Sequence, residues 1–452
     1  MKKFGKYTVK GLLGRGGMGM VYKAAIPNTE KIVALKVCQP RQVLVNILGM
    51  EEVRRQFMKE AVTMARLRHP NIAEVWDLDT HNGRPFFVME YYCNNLGTVI
   101  GETYEDAPSR TLSIDASIQY TRQALAALAR LHHAGIIHMD VKPFNMMLTD
   151  EGVVKMIDFG VSKLRGEELG GPDTIKVGTP YYSAPEQEEN PNQADERSDL
   201  YSVGITLFRM LTGSLPDENK VAANINPELD EEWERFLKKA THPDRKARFT
   251  SAGNMLAELD LLAAAWEDKK AKTCILIEEE SLPKKLRRAA GPATLRSVPI
   301  KTGLKRARDF FEADELWRPK NPVSGVLRDK ADGTILDVAT NLLWEQGGSP
   351  YPGTWNEAQD YVNSLNRKIF AGFSDWRLPT VNELMSLFIE NLDPYQFCLE
   401  PVFDPDKQRI WSADKKSYVA AWYADVEFGF VWWQDFTCFF HARAVRSAKG
   451  ID

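Results

Sequence analysis

Two short runs of crowded apolar and β-branched residues, "YTVKGLL" at 7–13 and "MVYKAAI" at 20–26, flank a glycine-bearing tip; the pattern predicts a β-hairpin. A third run, "KIVALKVC" at 31–38, predicts another strand, which carries Lys36. The period then changes. In "RRQFMKEAVTMARLRHPNI" the residues Phe57, Ala61, Met64 and Leu67 recur at helical spacing, with Glu60 beside that apolar face. Short strand-like runs and longer helical patterns alternate as far as residue 263, an α+β arrangement. From 264 to 320 no apolar period persists. Between Ser281 and Arg308 stand nine Lys or Arg and no acid, interrupted by Pro and Gly. This stretch predicts an exposed basic linker offering Thr294, Ser297 and Thr302 for modification. The competing reading of it, as a lipid or nucleic-acid contact, requires binding that falls steeply with salt. Residues 321–452 change character again and hold seven of the eleven tryptophans. "WNEAQDYVNSL" at 355–365 has helical period, and "TVNELMSLFIE" after Pro379 predicts a second helix with Thr380 and Glu383 as its capping box.

Composition narrows the class. A chain of 452 residues, 44% hydrophobic and 27% charged, has room for two or three globular domains. A net charge of −4 supplies no general field for nucleic acid or anionic membrane. The five cysteines, at 38, 93, 274, 398 and 438, are scattered without a CxxC pair, which fits a reduced cytoplasmic compartment better than a disulfide framework or zinc site. "MKKFGKYTVKGLLG" has no signal-like apolar stretch, and the longest apolar helical run, "LAELDLLAAAW", is far short of the ~20 residues of a membrane span. A soluble protein without a span is expected.

The chemistry-bearing residues come in a definite order. In "LLGRGGMGMVYKA", Gly14, Gly16 and Gly19 lie between two strands, where a hairpin tip can cover phosphates with backbone N–H groups. A dinucleotide-binding turn would run from strand to helix instead. Lys36 offers a point cation on a strand, and Glu60 the anion to hold it. In "IIHMDVKPFNMML", Asp140 can accept or orient a hydroxyl proton, Lys142 can neutralise a moving phosphoryl group and Asn145 can hold magnesium. In "VKMIDFG", Asp158 can bridge magnesium to phosphate.

Glycine loop, strand lysine, helix glutamate, His-x-Asp-x-Lys-x-x-Asn, Asp-Phe-Gly and Ala-Pro-Glu follow one another over about 250 residues. Residues 7–263 thus resemble a bacterial Ser/Thr protein kinase of the eukaryotic-like type. The resemblance implies a bilobal kinase fold, ATP and Mg2+ as cofactors, and a protein substrate bearing Ser or Thr. "DVKPFN" and "GTPYYSAPEQ" favour Ser/Thr over Tyr, with Thr179 bracing Asp140 and Lys142. It further implies a hinge at "FFVMEYYC", with Met89 as gatekeeper and the backbone of Glu90 and Tyr92 on adenine. Leu13, Val21 and Ala34 would cover the nucleotide and Met147 would floor it. Asp199 would hold the catalytic loop from below, and Glu186 and Arg248 would form a buried pair anchoring the activation segment.

Three features depart from that family. Met139 stands where many kinases carry an arginine that clamps a loop phosphate, so activity is expected to depend little on loop phosphorylation at Ser162, Thr174 or Ser183. After "LTGSLP" the chain leaves little room for a substrate-docking helix. The insertion "PRQVLVNILGM" is apolar and is expected to pack on the small lobe, with packing on a partner as the alternative.

"DGTILDVATNLLWEQ", "AGFSDWRLPTVNELMSLF", "WSAD" and "HARAVRS" resemble the Lcl-type C-terminal domain, of unknown function, which implies a C-type-lectin-like α+β fold over 321–452. Trp344, Trp376 and Arg377 read as core and turn organisers. The segment 411–440 has too many aromatics for all to be buried, so Tyr423, Phe428, Trp432, Trp433 and Phe436 are candidates for a ligand or protein surface. Such folds include retroelement-diversified proteins, which predicts a reverse transcriptase gene beside this one. No loop has calcium-ligand spacing. The reading is a kinase joined to a recognition domain. The alternatives are a silent kinase serving as scaffold, and a secreted lectin.

Overall fold

The computed structural model describes residues 2–159, 162–165, 179–217, 219–279, 295–322, 326–388, 399 and 402–448; Thr174 and Thr294 lie outside them. Internal contacts divide the chain into two units, Met1–Glu280 and Ser281–Asp452.

The first unit begins with β1 (Lys3–Phe4), β2 (Tyr7–Arg15), β3 (Gly19–Ala25) and β4 (Ile32–Cys38). Two helices, α1 (Gln42–Leu48) and α2 (Met50–Arg66), precede β5 (Val75–His81) and β6 (Arg84–Glu90). The six strands form one antiparallel sheet in the order β1-β2-β3-β4-β6-β5. Helix α2 buries Val53, Phe57, Glu60, Ala61 and Met64, the face expected from its period. Phe57 meets Phe87 of the sheet at 5.2 Å between ring centroids. The insertion does not pack as expected. Helix α1 has no buried residue, and Val43 is 69% exposed. It is tethered through its leading Arg41 N–H to the Gly17 carbonyl at 3.0 Å; Val43 and Ile47 are exposed while Leu44, Val45 and Leu48 are half-buried.

A second layer starts at β7 (Asn94–Asn95) and α3 (Leu96–Ile100), followed by α4 (Ile114–His133), β8 (Ile136–Ile137), β9 (Met146–Leu148), β10 (Val154–Met156) and β11 (Lys163–Leu164). Then come α5 (Pro185–Glu189), α6 (Glu196–Thr212), α7 (Ala222–Ile225), α8 (Glu231–Ala240) and α9 (Ala252–Glu279). Helix α4 packs on α6 and α9. A single helical turn, α7, occupies the place after "LTGSLP", as the short spacing there required. The domain boundary at 263 needs correction. Helix α9 continues past it, burying Trp266 and pairing Lys270 with Asp115 at 2.7 Å. Among the described residues no helix is long and apolar enough to cross a membrane.

The second unit contains α10 (Leu304–Phe311), β12 (Leu327–Asp329), β13 (Thr334–Asp337), β14 (Leu342–Glu345), α11 (Trp355–Arg367), α12 (Val381–Met385), β15 (Arg409–Lys415), β16 (Ala420–Asp425), β17 (Phe430–Asp435) and β18 (Val445–Ser447). Two antiparallel sheets, β12-β13-β14-β18 and β15-β16-β17, enclose a core that includes Trp344, Trp422, Ile410 and Val445. Both α11 and α12 start with a complete capping box, Thr354–Glu357 and Thr380–Glu383. Trp344 and Trp376 are core residues, and Arg377 pairs with Glu383 at 2.5 Å, which ties the turn to α12.

The linker reading is overturned for residues 295–320 as well. Phe311 and Ala307 are fully buried, and Leu295, Ile300 and Trp317 pack on the same core. Arg296 donates to both carboxylate oxygens of the buried Asp414, at 2.8 and 2.6 Å. The Ile300 and Val381 N–H groups donate to the same carboxylate. Ile300 and Thr302 also exchange backbone hydrogen bonds with Lys415. Thr302 is 6% exposed and thus closed to modification, whereas Ser297 is exposed.

Candidate active site

The glycine tip is shaped by the sheet beneath it. A Cβ at Gly19 would lie 2.3 Å from the Val37 carbonyl oxygen, so only glycine allows β3 and β4 to approach there. Gly14 has open space above it, as a phosphate cover needs, and a Cβ at Gly16 would meet only the Gly19 carbonyl oxygen, at an ordinary 3.8 Å. Leu13 is 44% exposed at the rim. Val21 pairs with Lys36 across β3–β4, and Ala34 with Met89 across β4–β6, which sets Val21 opposite the lysine and Ala34 beside Met89 near the end of the β6 hinge strand. Met147 pairs with Asn95 on β9, the opposite wall. The Tyr92 backbone N–H has no partner among the described residues, an open donor at the hinge suited to a nucleotide base.

Lys36 connects the layers. Its Nζ is 2.6 Å from Glu60 Oε1 and 2.9 Å from Asp158 Oδ1. Desolvation opposes its charge, but the two carboxylates outweigh that and raise its pKa. The Lys36 ammonium holds Asp158 down at about 2. Burial pushes Glu60 up to about 7 against the pull of Lys36. The Asp158 side chain is 44% exposed, which leaves oxygen available for a cation. Asp158 has φ 65°, and Phe159 beside it is buried, with its ring 4.9 Å from His138.

The catalytic loop is a closed hydrogen-bond circuit. Thr179 Oγ1 donates to Asp140 Oδ1 at 2.8 Å. Lys142 Nζ donates to Asp140 Oδ2 and to Thr179 Oγ1, both at 2.7 Å. Asn145 Nδ2 donates to the Asp140 carbonyl at 2.9 Å and to its carboxylate at 3.0 Å. The loop is held from below by Asp199, which accepts from the N–H groups of His138 and Met139 and contacts His132 Nε2 at 2.8 Å. Arg248 forms a two-pronged pair with Glu186 at 2.7 and 2.8 Å.

Met139 is 2% exposed, adopts φ 64° and packs with Ile137 and Ala194. Gln187 Nε2 donates to its carbonyl at 2.7 Å, so the backbone is clamped on both sides. The residue is a packing element in the place of a charged clamp. His132, Gln187, Phe144 and the Glu102–Arg209 pair escaped the sequence reading; Phe144 and Gln187 stand inside quoted motifs at positions given no role, and the others lie outside them.

In the second unit the aromatic candidates divide. Tyr423 is fully buried and Phe428 nearly so, which corrects their assignment to a surface. The Tyr423 ring is buried 4.5 Å from that of Phe440, tilted against it by 44°. Strand β16 is buried on both faces, so aromatic density there measures core packing. Trp432, Trp433 and Phe436 remain partly exposed.

Residues 7–259 match the protein kinase domain family and residues 333–446 the Lcl C-terminal domain. The first match covers more than half of the chain, which therefore belongs to the protein kinase family, with the bilobal mixed helix-and-sheet fold described above. Among its relatives, Serine/threonine-protein kinase pkn3 of Myxococcus xanthus is 36% identical over 228 residues, 48% of this chain and 39% of that protein. Serine/threonine-protein kinase PksC of Streptomyces coelicolor is 35% identical over 286 residues, 58% and 50% respectively. Probable serine/threonine-protein kinase PknB of Lactococcus lactis is 31% identical over 270 residues, 56% and 41%. The chain thus spans about two fifths to one half of the length of these relatives. The family implies ATP and a divalent metal, typically Mg2+.

Proposed function

We propose that this chain is an active Ser/Thr protein kinase that moves the γ-phosphate of ATP to a protein hydroxyl. The observation that carries the reading is the intact circuit of Thr179, Asp140, Lys142 and Asn145, together with Lys36 held between Glu60 and Asp158. In it Asp140 orients the acceptor hydroxyl and takes its proton as the oxygen attacks phosphorus. Lys142 balances charge on the moving phosphoryl group, and Lys36 positions the nucleotide phosphates. Asn145 and Asp158 would hold Mg2+, which supplies neutralisation of the phosphate charge. The open N–H of Tyr92, with Glu90, Met89, Ala34, Val21, Leu13 and Met147 around it, would seat the base. A silent scaffold would not need these contacts.

The test is transfer of labelled phosphate from magnesium–ATP, with Asp158→Ala as control. Equal labelling by both proteins would sink the reading.

The second domain is taken as a C-type-lectin-like recognition module, with Trp432, Trp433 and Phe436 the aromatics that support a contact surface. Whether it targets or regulates is decided by comparing autophosphorylation of residues 1–280 with the full chain; equal rates mean targeting. A cytoplasmic, retroelement-diversified protein remains part of this proposal, tested by fractionation and by the genes flanking its own.

A further inference from the structure

The acceptor side of the cleft has a wall built from a segment with no motif. Residues 101–110 leave α3, are stapled by Arg110, whose Nε donates to the Val99 carbonyl at 2.7 Å, and return along α6 through the Ser109 N–H bonded to the Gly213 carbonyl at 2.8 Å. Within them Tyr104 adopts φ 59°, an uncommon left-handed conformation for a bulky residue. Its backbone N–H donates to Glu102 Oε1 at 2.7 Å, and Glu102 is buried and paired with Arg209 of α6 at 3.0 Å. The Tyr182 hydroxyl donates to the same carboxylate. The loop is thus locked to the segment that follows Thr179.

The lock aims the Tyr104 ring. Its centroid lies 5.0 Å from Phe144 of the catalytic loop and 6.3 Å, edge to face, from Tyr182. Lys142 Nζ is 5.8 Å from the ring centre. Phe144 can occupy its place because α3 carries Gly97 there; a Cβ would meet its ring at 2.8 Å. Tyr104 and Phe144 are each half-buried, not closed off by packing. The Tyr104 hydroxyl has no partner among the described residues. Burial first, and then the carboxylates of Asp140, Glu102 and Asp158, keep the phenol protonated.

We propose that Tyr104 and Phe144 form an aromatic wall that selects an apolar side chain next to the phosphorylated Ser or Thr. A basic neighbour on this wall would lie beside the Lys142 ammonium and be repelled. Glu102 cannot attract it, because that carboxylate is spent on Arg209, Tyr182 and two backbone N–H groups. Exposed Glu105 and Asp106 follow in the same segment, so a basic preference is the direct rival. The inference rests on the kinase reading above.

The experiment is a peptide array with the full chain, a fixed Ser/Thr acceptor and each neighbouring position varied among Leu, Phe, Lys, Arg and Glu. The expected result is a Leu or Phe preference at one position. Tyr104→Ala should raise KM for that peptide about tenfold with KM for ATP unmoved, and Tyr104→Phe should restore it. Unmoved ATP binding separates this from misfolding. A preference for Lys or Arg, no preference at all, or Tyr104→Ala matching the parent chain overturns the proposal. Absence of autophosphorylation by the unmodified chain overturns the kinase reading and this one with it.

Discussion

Thr179 offers the sharpest test of the circuit, because its hydroxyl touches both reacting-side groups and no nucleotide contact. Substitution by Ala removes the 2.8 Å bond to Asp140 and the 2.7 Å bond from Lys142. Each has a charged partner, and such bonds contribute about 1.5–3 kcal/mol. The losses do not add in full, because Lys142 still reaches Asp140 directly at 2.7 Å. A net loss of about 1.5–3 kcal/mol in the transition state corresponds to a rate about 10- to 150-fold lower. The measurement is kcat for phosphate transfer by the full chain at saturating magnesium–ATP, with KM for ATP determined alongside. Thr179→Ser keeps the hydroxyl and should stay within a few-fold of the parent. The reasoning fails if Thr179→Ala is within about threefold of the parent, if the Ser variant falls equally far, or if KM for ATP carries the loss.

Three further outcomes are expected. The triple replacement Ser162→Ala, Thr174→Ala, Ser183→Ala should keep most of the transfer rate, since Met139 provides packing and no anion clamp; a fall to background in a phosphotransfer assay would refute this. With Glu60 titrating near 7, the rate should decline as pH falls through 7, because the protonated carboxyl releases its hold on Lys36; Glu60→Gln should be slower and lack that limb in a pH–rate profile. Arg296→Ala leaves the buried Asp414 without its cation and should cost about 3 kcal/mol, at the low end for a broken buried pair because Arg296 is 23% exposed; calorimetry of the full chain should show one transition shifted down by several degrees.

Legibility followed the range of the interaction. The β2–β3 hairpin, the Lys36 strand and the Glu60 helix were readable because period and turn chemistry are local, and both capping residues of α12 were readable for the same reason. The basic stretch misled at 295–311, where the exposed cations Lys301, Lys305, Arg306 and Arg308 sit on the outside of a segment whose Leu295, Ile300, Ala307, Phe311 and Arg296 are packed. Arg296 is held by an acid 118 positions away, and Phe311 by a core assembled from both sheets. Tyr423 and Phe428 misled for a related reason: aromatic density does not tell which face of a strand is covered.

By itself, the sequence determined the family, the order of the catalytic groups and the chemistry each can perform, because those depend on residue type and short spacing. Tertiary structure alone decided that Met139 is a buried packing residue, that both flanks of the supposed linker, 264–279 and 295–320, belong to folded units, and that Tyr104 stands beside Lys142. Those facts depend on contacts between segments far apart in the chain, where burial and charge pairing are settled only once the core has closed.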